Sequence, residues 1–152
     1  MNEELKVRKI ENGIVLDHLP AGKSPDIMKI LGVDNQTEET ISILMNVSST
    51  RQNKKDIIKI EGKDFEDLVV DKIALLAPGA TVNIIKDFNV VEKRKIKIPD
   101  VIDVVSCPNP SCITNQREPV KPRLLVEAAD PLKVRCYYCE RVFNEHDLLE
   151  KL

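Results

Sequence analysis

Four cysteines lie in two pairs in the last third of the chain. CPNPSC carries Cys107 and Cys112, CYYC carries Cys136 and Cys139, and the 152 residues contain no other cysteine. Four thiolates complete a closed tetrahedral zinc site, which leaves no coordination position for water or substrate. The pattern therefore predicts one structural Zn²⁺ per chain that stabilises a small module. Iron or a redox-active dithiol are the alternatives for the same ligand set.

The remaining composition bears on compartment and partners. The N-terminus, MNEELKVRKIENG, carries charges where a signal peptide has an apolar run, and the longest apolar stretch, residues 73–77, is far too short to cross a bilayer. We therefore expect a cytoplasmic protein without membrane contact, in which reduced thiols favour a metal over disulfides. A net charge of -2 and 3% aromatic residues argue against nucleic acid as a partner.

The elements that must position these cysteines follow from hydrophobic periodicity and turn signals. The predicted order is a strand or hairpin over 5–19, a helix with Ser24 as N-cap, strands over 40–47 and 55–61, a helix capped by Asp64 with acids 66 and 67 in its first turn, and a strand over 81–91. This β-α-β-β-α-β order predicts a ferredoxin-like sandwich with both helices on one face of an antiparallel sheet.

The character of the sequence changes near Pro99. The part before it has no cysteine, whereas the part after it holds all four. We predict short strands over 124–128 and 132–135 and a helix over 145–152. The fold class is thus α+β, with a ferredoxin-like domain at residues 1–98 and a small zinc-bound antiparallel β domain at residues 101–152, too small for a sizeable core without the metal.

One face of the predicted sheet carries polar side chains. Lys59 shares the strand parity of Ile57, opposite to Ile58, and Asn83 shares its parity with Ile85. If helices cover the Ile58 face, Lys59 and Asn83 stand on the open face, where a lysine and an amide suit an anion or a ribose. A solvated sheet face is the alternative.

Several segments together carry a resemblance to a known family. They are KVRKIENGIVLDHLPAG, KKDIIKIEG, LAPGATVNII and CPNPSCI…CYYC, in this order. The chain resembles the regulatory chain of aspartate carbamoyltransferase nearly from end to end. The resemblance implies a non-catalytic subunit in pyrimidine biosynthesis, with an N-terminal domain that binds CTP or ATP as allosteric effectors. It also implies a zinc domain that docks onto the catalytic chain, and self-association into regulatory dimers.

The resemblance also implies the residues of a nucleotide site. Asp17 would contact the ribose, His18 the phosphates, and Lys59 the ribose and base. The others are Asn83, Lys93 at the phosphates, backbone groups near Ile10, Ile85 and Val90, and Phe88, which stands where the family often has tyrosine. In the ligand loop, Asn109 is the residue expected to contact the catalytic chain.

Two other functions compete with this interpretation. A zinc-ribbon module that binds nucleic acid would need a basic face, which the net charge of -2 disfavours. A stand-alone enzyme of ferredoxin-like fold would need a convergent set of acid, base or nucleophile, and the sequence offers none beyond Asp17 and His18.

Overall fold

The structure, a computed structural model, describes residues 8–65 and 69–152. These residues form two compact units. The first comprises the described residues up to Phe65 together with 79–96, and the second comprises residues 69–78 and 97–152. Among the described residues, no helix combines the length and the apolar character that spanning a bilayer requires.

The N-terminal unit is built on an antiparallel sheet. Its elements are β1 (Gly13–Pro20), α1 (Ser24–Ile30), β2 (Ile41–Ser49), β3 (Asn53–Glu61), β4 (Thr81–Lys86) and β5 (Asn89–Lys95). The strand order β2-β3-β1-β4-β5 is the ferredoxin-like order extended by β5. One face of the sheet forms the core, in which Ile14, Leu16, Ile58 and Val82 are fully buried. The predicted parity of β3 is confirmed.

Helix α1 begins one residue differently from the prediction. Lys23 is the N-cap, and Ser24 is the first helical residue, followed by Pro25 and by Asp26 in the first turn. The Ser24 hydroxyl does not cap the helix, because it donates a hydrogen bond of 2.6 Å to Asp56 Oδ2. The sequence pattern was therefore correct about the helix and wrong about the role of the serine.

Two strand predictions need correction. Residues 81–91 are not one strand, because Asp87 and Phe88 have left-handed φ angles of 51° and 67° and turn the chain into the β4–β5 hairpin. The first strand begins only at Gly13, and the part of the expected hairpin at residues 5–7 lies outside the described residues.

The C-terminal unit contains the cysteines. Its elements are α2 (Val70–Leu76), β6 (Val101–Ile102), a 3₁₀ helix (Ile113–Asn115), β7 (Leu124–Ala129), β8 (Leu132–Cys136), β9 (Val142–Asn144) and α3 (Glu145–Leu149). Helix α2 begins at Val70 without a side-chain cap, and the acids expected in its first turn, at 66 and 67, lie outside the described residues. Helix α3 ends before the predicted residue 152.

The sheet of this unit has the order β6-β7-β8-β9. A capping box between Asn144 and Asp147 starts α3, and Leu148 on its inner side is buried. The core joins apolar side chains from α2 and from the strands to the metal-ligating segments; its members include Leu75, Ile102, Val105, Leu124, Val134, Leu148, Cys107, Cys112 and Cys136. The fold class predicted from the sequence, α+β with antiparallel sheets and a small cysteine-bearing β domain, is confirmed.

Candidate functional site

The four cysteine sulfurs converge on one point in the C-terminal unit. All of them lie within 4.8 Å of one another, and the pairs Cys107–Cys139 and Cys112–Cys136 are each 3.7 Å apart. Sulfurs bound at about 2.3 Å around one tetrahedral zinc ion are separated by about 3.8 Å. A disulfide bond is only about 2.05 Å long, and all four cysteines are free. The donor set and its geometry therefore fit a structural metal ion.

Local hydrogen bonds shape the loop that carries the first pair of cysteines. The Cys112 N–H donates to the Asn109 carbonyl at 3.0 Å, which closes a turn. From the 3₁₀ helix, the Asn115 amide donates to the Cys107 carbonyl at 2.8 Å and to the Asn109 carbonyl at 2.6 Å. These bonds fix the loop backbone without placing any charge beside the sulfurs.

The Asn109 side chain faces inward. It is 7% exposed, its Oδ1 accepts a hydrogen bond from the Ser111 N–H at 3.1 Å, and its amide hydrogen-bonds to the Cys139 sulfur. The structure thus places this asparagine against sulfur and leaves little of its surface for the contact with the catalytic chain that the resemblance implied. Neighbours that orient metal ligands in this way are a regular part of metal sites.

The protonation of the thiols divides them into two kinds. Burial raises the pKa of Cys107 and of Cys136. Burial also opposes ionisation of Cys112 and Cys139, but the Thr114 hydroxyl, 3.2 Å from the Cys112 sulfur, lowers the pKa of Cys112, and the Arg141 N–H with the Asn109 amide lowers that of Cys139 to about 7. Because metals bind thiolates, filling this site must release protons.

The open face of the N-terminal sheet carries a cross-strand row of side chains. Lys59 on β3 pairs with Val15 on β1, Val15 pairs with Asn83 on β4, and Asn83 pairs with Lys93 on β5. Paired residues in an antiparallel sheet project to the same face. Lys59 and Lys93 make no ion pair with any residue that the structure describes, so this face has positive charge to offer an anion.

A cavity of about 420 Å³ opens on this face. It brings together most residues of the predicted nucleotide site, namely Ile10, Asp17, Lys59, Asn83, Ile85, Phe88 and Val90, and it is also lined by Lys9, Val15, Ile57 and Asn89. His18 and Lys93 do not line it, although Asp17 and Asn83 adjoin them in the chain and in the sheet. Lys9 and Asn89 are lining residues that the sequence did not single out.

One of the lining residues of this cavity, Asn83, carries an orphaned polar atom. Asn83 Oδ1 is buried and, within the described part of the chain, has no hydrogen-bond partner. Leaving such an acceptor unsatisfied costs about 1–3 kcal/mol. A ligand that donates a hydrogen bond here would remove that cost.

A β-bulge places Asp17 and His18 side by side. Between Leu16 and Leu19 the register of β1 against β3 slips, with His18 at φ 57°. The extra residue leaves Leu16 and Leu19 both buried in the core while Asp17 and His18 are both partly exposed. The Nδ1 atom of the His18 ring lies 3.2 Å from the Thr81 hydroxyl. The backbone N–H of His18 donates a hydrogen bond to Asp17 Oδ1 at 2.6 Å.

The charges around the bulge set its electrostatics. Burial raises the pKa of Asp17, but Lys55, whose Nζ lies 2.8 Å from Oδ1, and the His18 N–H outweigh burial and hold that pKa below its usual range. Burial lowers the pKa of His18, Asp17 opposes this effect, and the positive charges of Lys55, Arg51 and Lys93 add to it, so that the pKa is lowered overall. In the free chain this end of the face therefore holds Lys55, which pairs with Asp17, together with Arg51 and Lys93, which make no ion pair with a carboxylate among the described residues.

Behind the bulge lies a carboxylate that the sequence prediction missed. Asp56 is fully buried and accepts hydrogen bonds from the Gly22 N–H, the Ser24 N–H and hydroxyl, and the Asn46 N–H, at 2.6 to 3.2 Å. These donors outweigh burial and lower its pKa. The signal was available, because Asp56 has the inward parity of Ile58 and Ile60, where a charged residue is unusual.

Comparison with known proteins adds independent findings. Residues 5–97 match the family model of the aspartate carbamoyltransferase regulatory chain, allosteric domain, and residues 99–149 match that of its metal binding domain. The chain is 50% identical over 146 residues to an aspartate carbamoyltransferase regulatory chain of Methanothrix thermoacetophila, covering 95% of each chain. It is 46% identical over 153 residues, covering 100% of each chain, to the regulatory chain of Thermococcus kodakarensis.

Proposed function

The chain belongs to the family of aspartate carbamoyltransferase regulatory chains, and from this premise we propose that it is a non-catalytic, cytoplasmic subunit that binds CTP and ATP and assembles with catalytic chains. We assign nucleotide binding to residues 1–98 and docking onto the catalytic chain to residues 101–152. An effector shifts such an assembly only by binding one of its states more tightly than the other. CTP and ATP would compete for one cavity and act through different contacts in it.

The observation that carries the nucleotide assignment is the cavity on the open sheet face. One end, near the β4–β5 turn, is mainly apolar, with Ile10, Ile85, Phe88 and Val90 beside the polar Lys9 and Asn89. The other end lies toward the bulge, where His18 and its neighbouring cations stand. A nucleoside triphosphate has the same polarity, with a flat, weakly polar base at one end and a polyanion at the other.

Individual residues have distinct parts in this proposal. His18 and Lys93 bind the phosphates, and Asp17, held by Lys55, accepts a hydrogen bond from a ribose hydroxyl. Lys59 reaches the ribose and the base, and the orphaned Asn83 Oδ1 accepts a hydrogen bond from the ligand. Backbone groups near Ile10, Ile85 and Val90, with Phe88 beside them, frame the base.

Substitution of Lys59 tests this site directly. We expect Lys59→Ala to weaken CTP binding about tenfold or more, because it removes from the cavity wall a charge that forms no ion pair with any described residue, while metal content stays at one ion per chain. Lys54→Ala is the matched control, since Lys54 lies on the same strand and is exposed but does not line the cavity. Calorimetry on the purified chain measures both, and equal CTP affinities in the two variants would contradict the proposed site.

The metal site supports a docking role for the C-terminal unit. We propose that the ion is Zn²⁺, as four thiolates in a closed shell favour. Exposed apolar side chains flank the ligand segments, with Ile113 44%, Tyr137 54%, Tyr138 41% and Val142 41% exposed. Beside them the Arg123 guanidinium lies 4.9 Å from the centre of the Tyr137 ring. A catalytic chain that covered this surface would bury apolar area whose shape depends on the metal.

Self-association into dimers is proposed at the β2 edge of the N-terminal sheet. β2 is an outer strand of that sheet, and its Ile43 and Met45 side chains are 42% and 43% exposed. An outer strand with apolar side chains is suited to pair with a second copy of itself. Sedimentation of the chain alone, compared with an Ile43→Lys variant, tests this edge: a variant that remained dimeric would contradict it.

The competing functions make different predictions. A zinc-ribbon module would shift nucleic acid in a gel at moderate salt, whereas we expect no shift from a chain of net charge -2. A stand-alone enzyme would turn over substrate, whereas we expect no product when the purified chain alone is incubated with carbamoyl phosphate and aspartate.

A further inference from the structure

Asp56 occupies a position that usually holds an apolar side chain. It lies on β3 with the inward parity of Ile58, is fully buried, and still carries a carboxylate. A buried carboxylate is costly unless donors surround it, and filling the same space with an apolar side chain is often no less stable. Unlike an apolar side chain, Asp56 can accept hydrogen bonds from backbone N–H groups of separate segments and so fix their positions.

The segments that Asp56 holds are those that bend next to the phosphate end of the cavity. Its Oδ2 accepts from the Gly22 N–H at 3.0 Å and from the Ser24 hydroxyl at 2.6 Å, in the segment that follows β1. Its Oδ1 accepts from the Asn46 N–H at 2.9 Å, in the bulge of β2, where Asn46 has φ 60°.

The β1 bulge ends at the residue that pairs with Asp56. Leu19, the first residue after the bulge, pairs with Asp56 across the sheet. His18 is therefore confined on one side by the regular pairing of Leu16 with Ile58, and on the other by a strand end that Asp56 anchors. Asp56 does not line the ligand cavity, so it acts on a bound ligand through the segments that it holds and not by contact.

The opposite end of the cavity has its own supports. Gly13 pairs with Ile85, and the Phe88 N–H donates to the Glu11 carbonyl at 3.0 Å, so the β4–β5 turn is attached to the start of β1. A disturbance at Asp56 would reach the base end along β1 or along its own strand β3, and on both routes the regular pairs Leu16–Ile58 and Val15–Lys59 lie between. The two ends of a bound nucleotide should therefore respond differently to the loss of this carboxylate.

We propose, resting on the proposed nucleotide function, that Asp56 is a positioning residue of the site, which fixes the bulge so that His18 meets the phosphate groups of the effector. It acts through the backbone of residues 19–24 and not by touching the ligand. Without its charge the hydrogen bonds to Gly22, Ser24 and Asn46 weaken together, and His18 loses its fixed place while the base end of the cavity is unchanged.

The test compares a ligand that has phosphates with one that has none. Calorimetry on the full-length, metal-loaded chain measures the affinities of CTP and of cytidine. We expect Asp56→Asn to weaken CTP about tenfold and cytidine less than twofold, because only the phosphate end is displaced. A purely structural role would weaken both ligands alike. Asp34→Asn is the matched control, since Asp34 also caps a backbone N–H, that of Gln36 at 2.8 Å, but in an exposed turn outside the cavity.

A spectroscopic measurement supplements the affinities. The chain has two histidines, so the imidazole proton signals of His18 can be followed with those of His146 as an internal reference. We expect Asp56→Asn to shift the His18 signals and leave those of His146 in place.

Each outcome bears on one of the two proposals. An unchanged ratio of CTP to cytidine affinity in Asp56→Asn overturns the positioning role, whereas failure of the wild-type chain to bind CTP overturns the nucleotide function and this role with it. If Asp56→Asn does not fold, Ser24→Ala decides, because it removes only one donor to the same carboxylate. A loss of CTP affinity of about threefold with unchanged cytidine affinity then supports the role, and an unchanged ratio rejects it.

Discussion

The protonation of His18 gives the binding of a triphosphate a distinctive dependence on pH. In the free chain, burial and the charges of Lys55, Arg51 and Lys93 lower the pKa of His18, so the imidazole is mostly neutral at pH 7. A phosphate group beside His18 brings negative charge, which favours the protonated ring and raises its pKa in the complex. Binding should therefore take up a proton.

The size of this effect follows from one pair of charges. Two unit charges about 4 Å apart interact by about 1 kcal/mol in water and about 4 kcal/mol near a protein surface. His18 is only partly buried, so a value toward the lower end, about 1.4 kcal/mol, is appropriate, and it corresponds to a tenfold change in affinity. The additional affinity is complete below the pKa of the free chain and is lost as the pH rises through the pKa of the complex.

Calorimetry of CTP binding between pH 6 and 8 measures this dependence. Because a phosphate group itself loses a proton near pH 6, His18→Gln, which cannot titrate, provides the baseline. We expect the ratio of wild-type to His18→Gln affinity to fall severalfold over this range, which is part of the tenfold total because the additional affinity is complete only below the lowered pKa of the free chain, and we expect His146→Gln to behave as the wild type. At pH 7, titrations in buffers of different ionisation enthalpy should detect proton uptake by the wild type that exceeds that of His18→Gln. Equal proton uptake by both proteins would refute the reasoning.

Further substitutions test the scaffold. A Cβ at Gly13, where φ is 146°, would lie 2.1 Å from the Ile60 carbonyl oxygen, so Gly13→Ala should destabilise the chain by about 3 kcal/mol or more in urea unfolding. Gly62→Ala has open space and a left-handed φ of 77°, and should cost only about 1 kcal/mol; equal losses would contradict the clash. Cys112→Ser should abolish stoichiometric zinc and co-purification with the catalytic chain, whereas exposed Ser106→Ala should preserve both; normal co-purification of Cys112→Ser would count against metal-dependent docking.

The parts of the site that depend on short-range patterns were predictable from the sequence. The cysteine spacing predicted the metal centre because ligands close in sequence in each pair leave little freedom to the fold. Strand parity placed Lys59 opposite to Ile58 because side chains alternate along any regular strand, and the structure confirms that placement.

The parts that depend on irregular backbone were not predictable in the same way. The β4–β5 turn uses Asp87 and Phe88 in left-handed conformations without any glycine, so only the weaker turn preference of Asp87 and Asn89 marked it. In β2, strict alternation would put Ile41, Ile43, Met45 and Val47 on one face, but the bulge at Asn46 shifts the register between Leu44 and Val47. Such shifts of register arise from contacts with neighbouring strands, which a pattern within one segment does not contain.

The assignment of helix α2 to the C-terminal unit has a practical consequence for dissecting the molecule. Leu75 belongs to the core around the cysteines. In the chain, however, residues 79–96 of the other unit lie between Leu75 and the first cysteine. A gene fragment that starts at residue 97 would therefore encode a metal-binding piece with an unfilled gap where Leu75 packs. A fragment with residues 69–78 attached through a designed connection is the smallest one that we expect to retain the ion after dialysis.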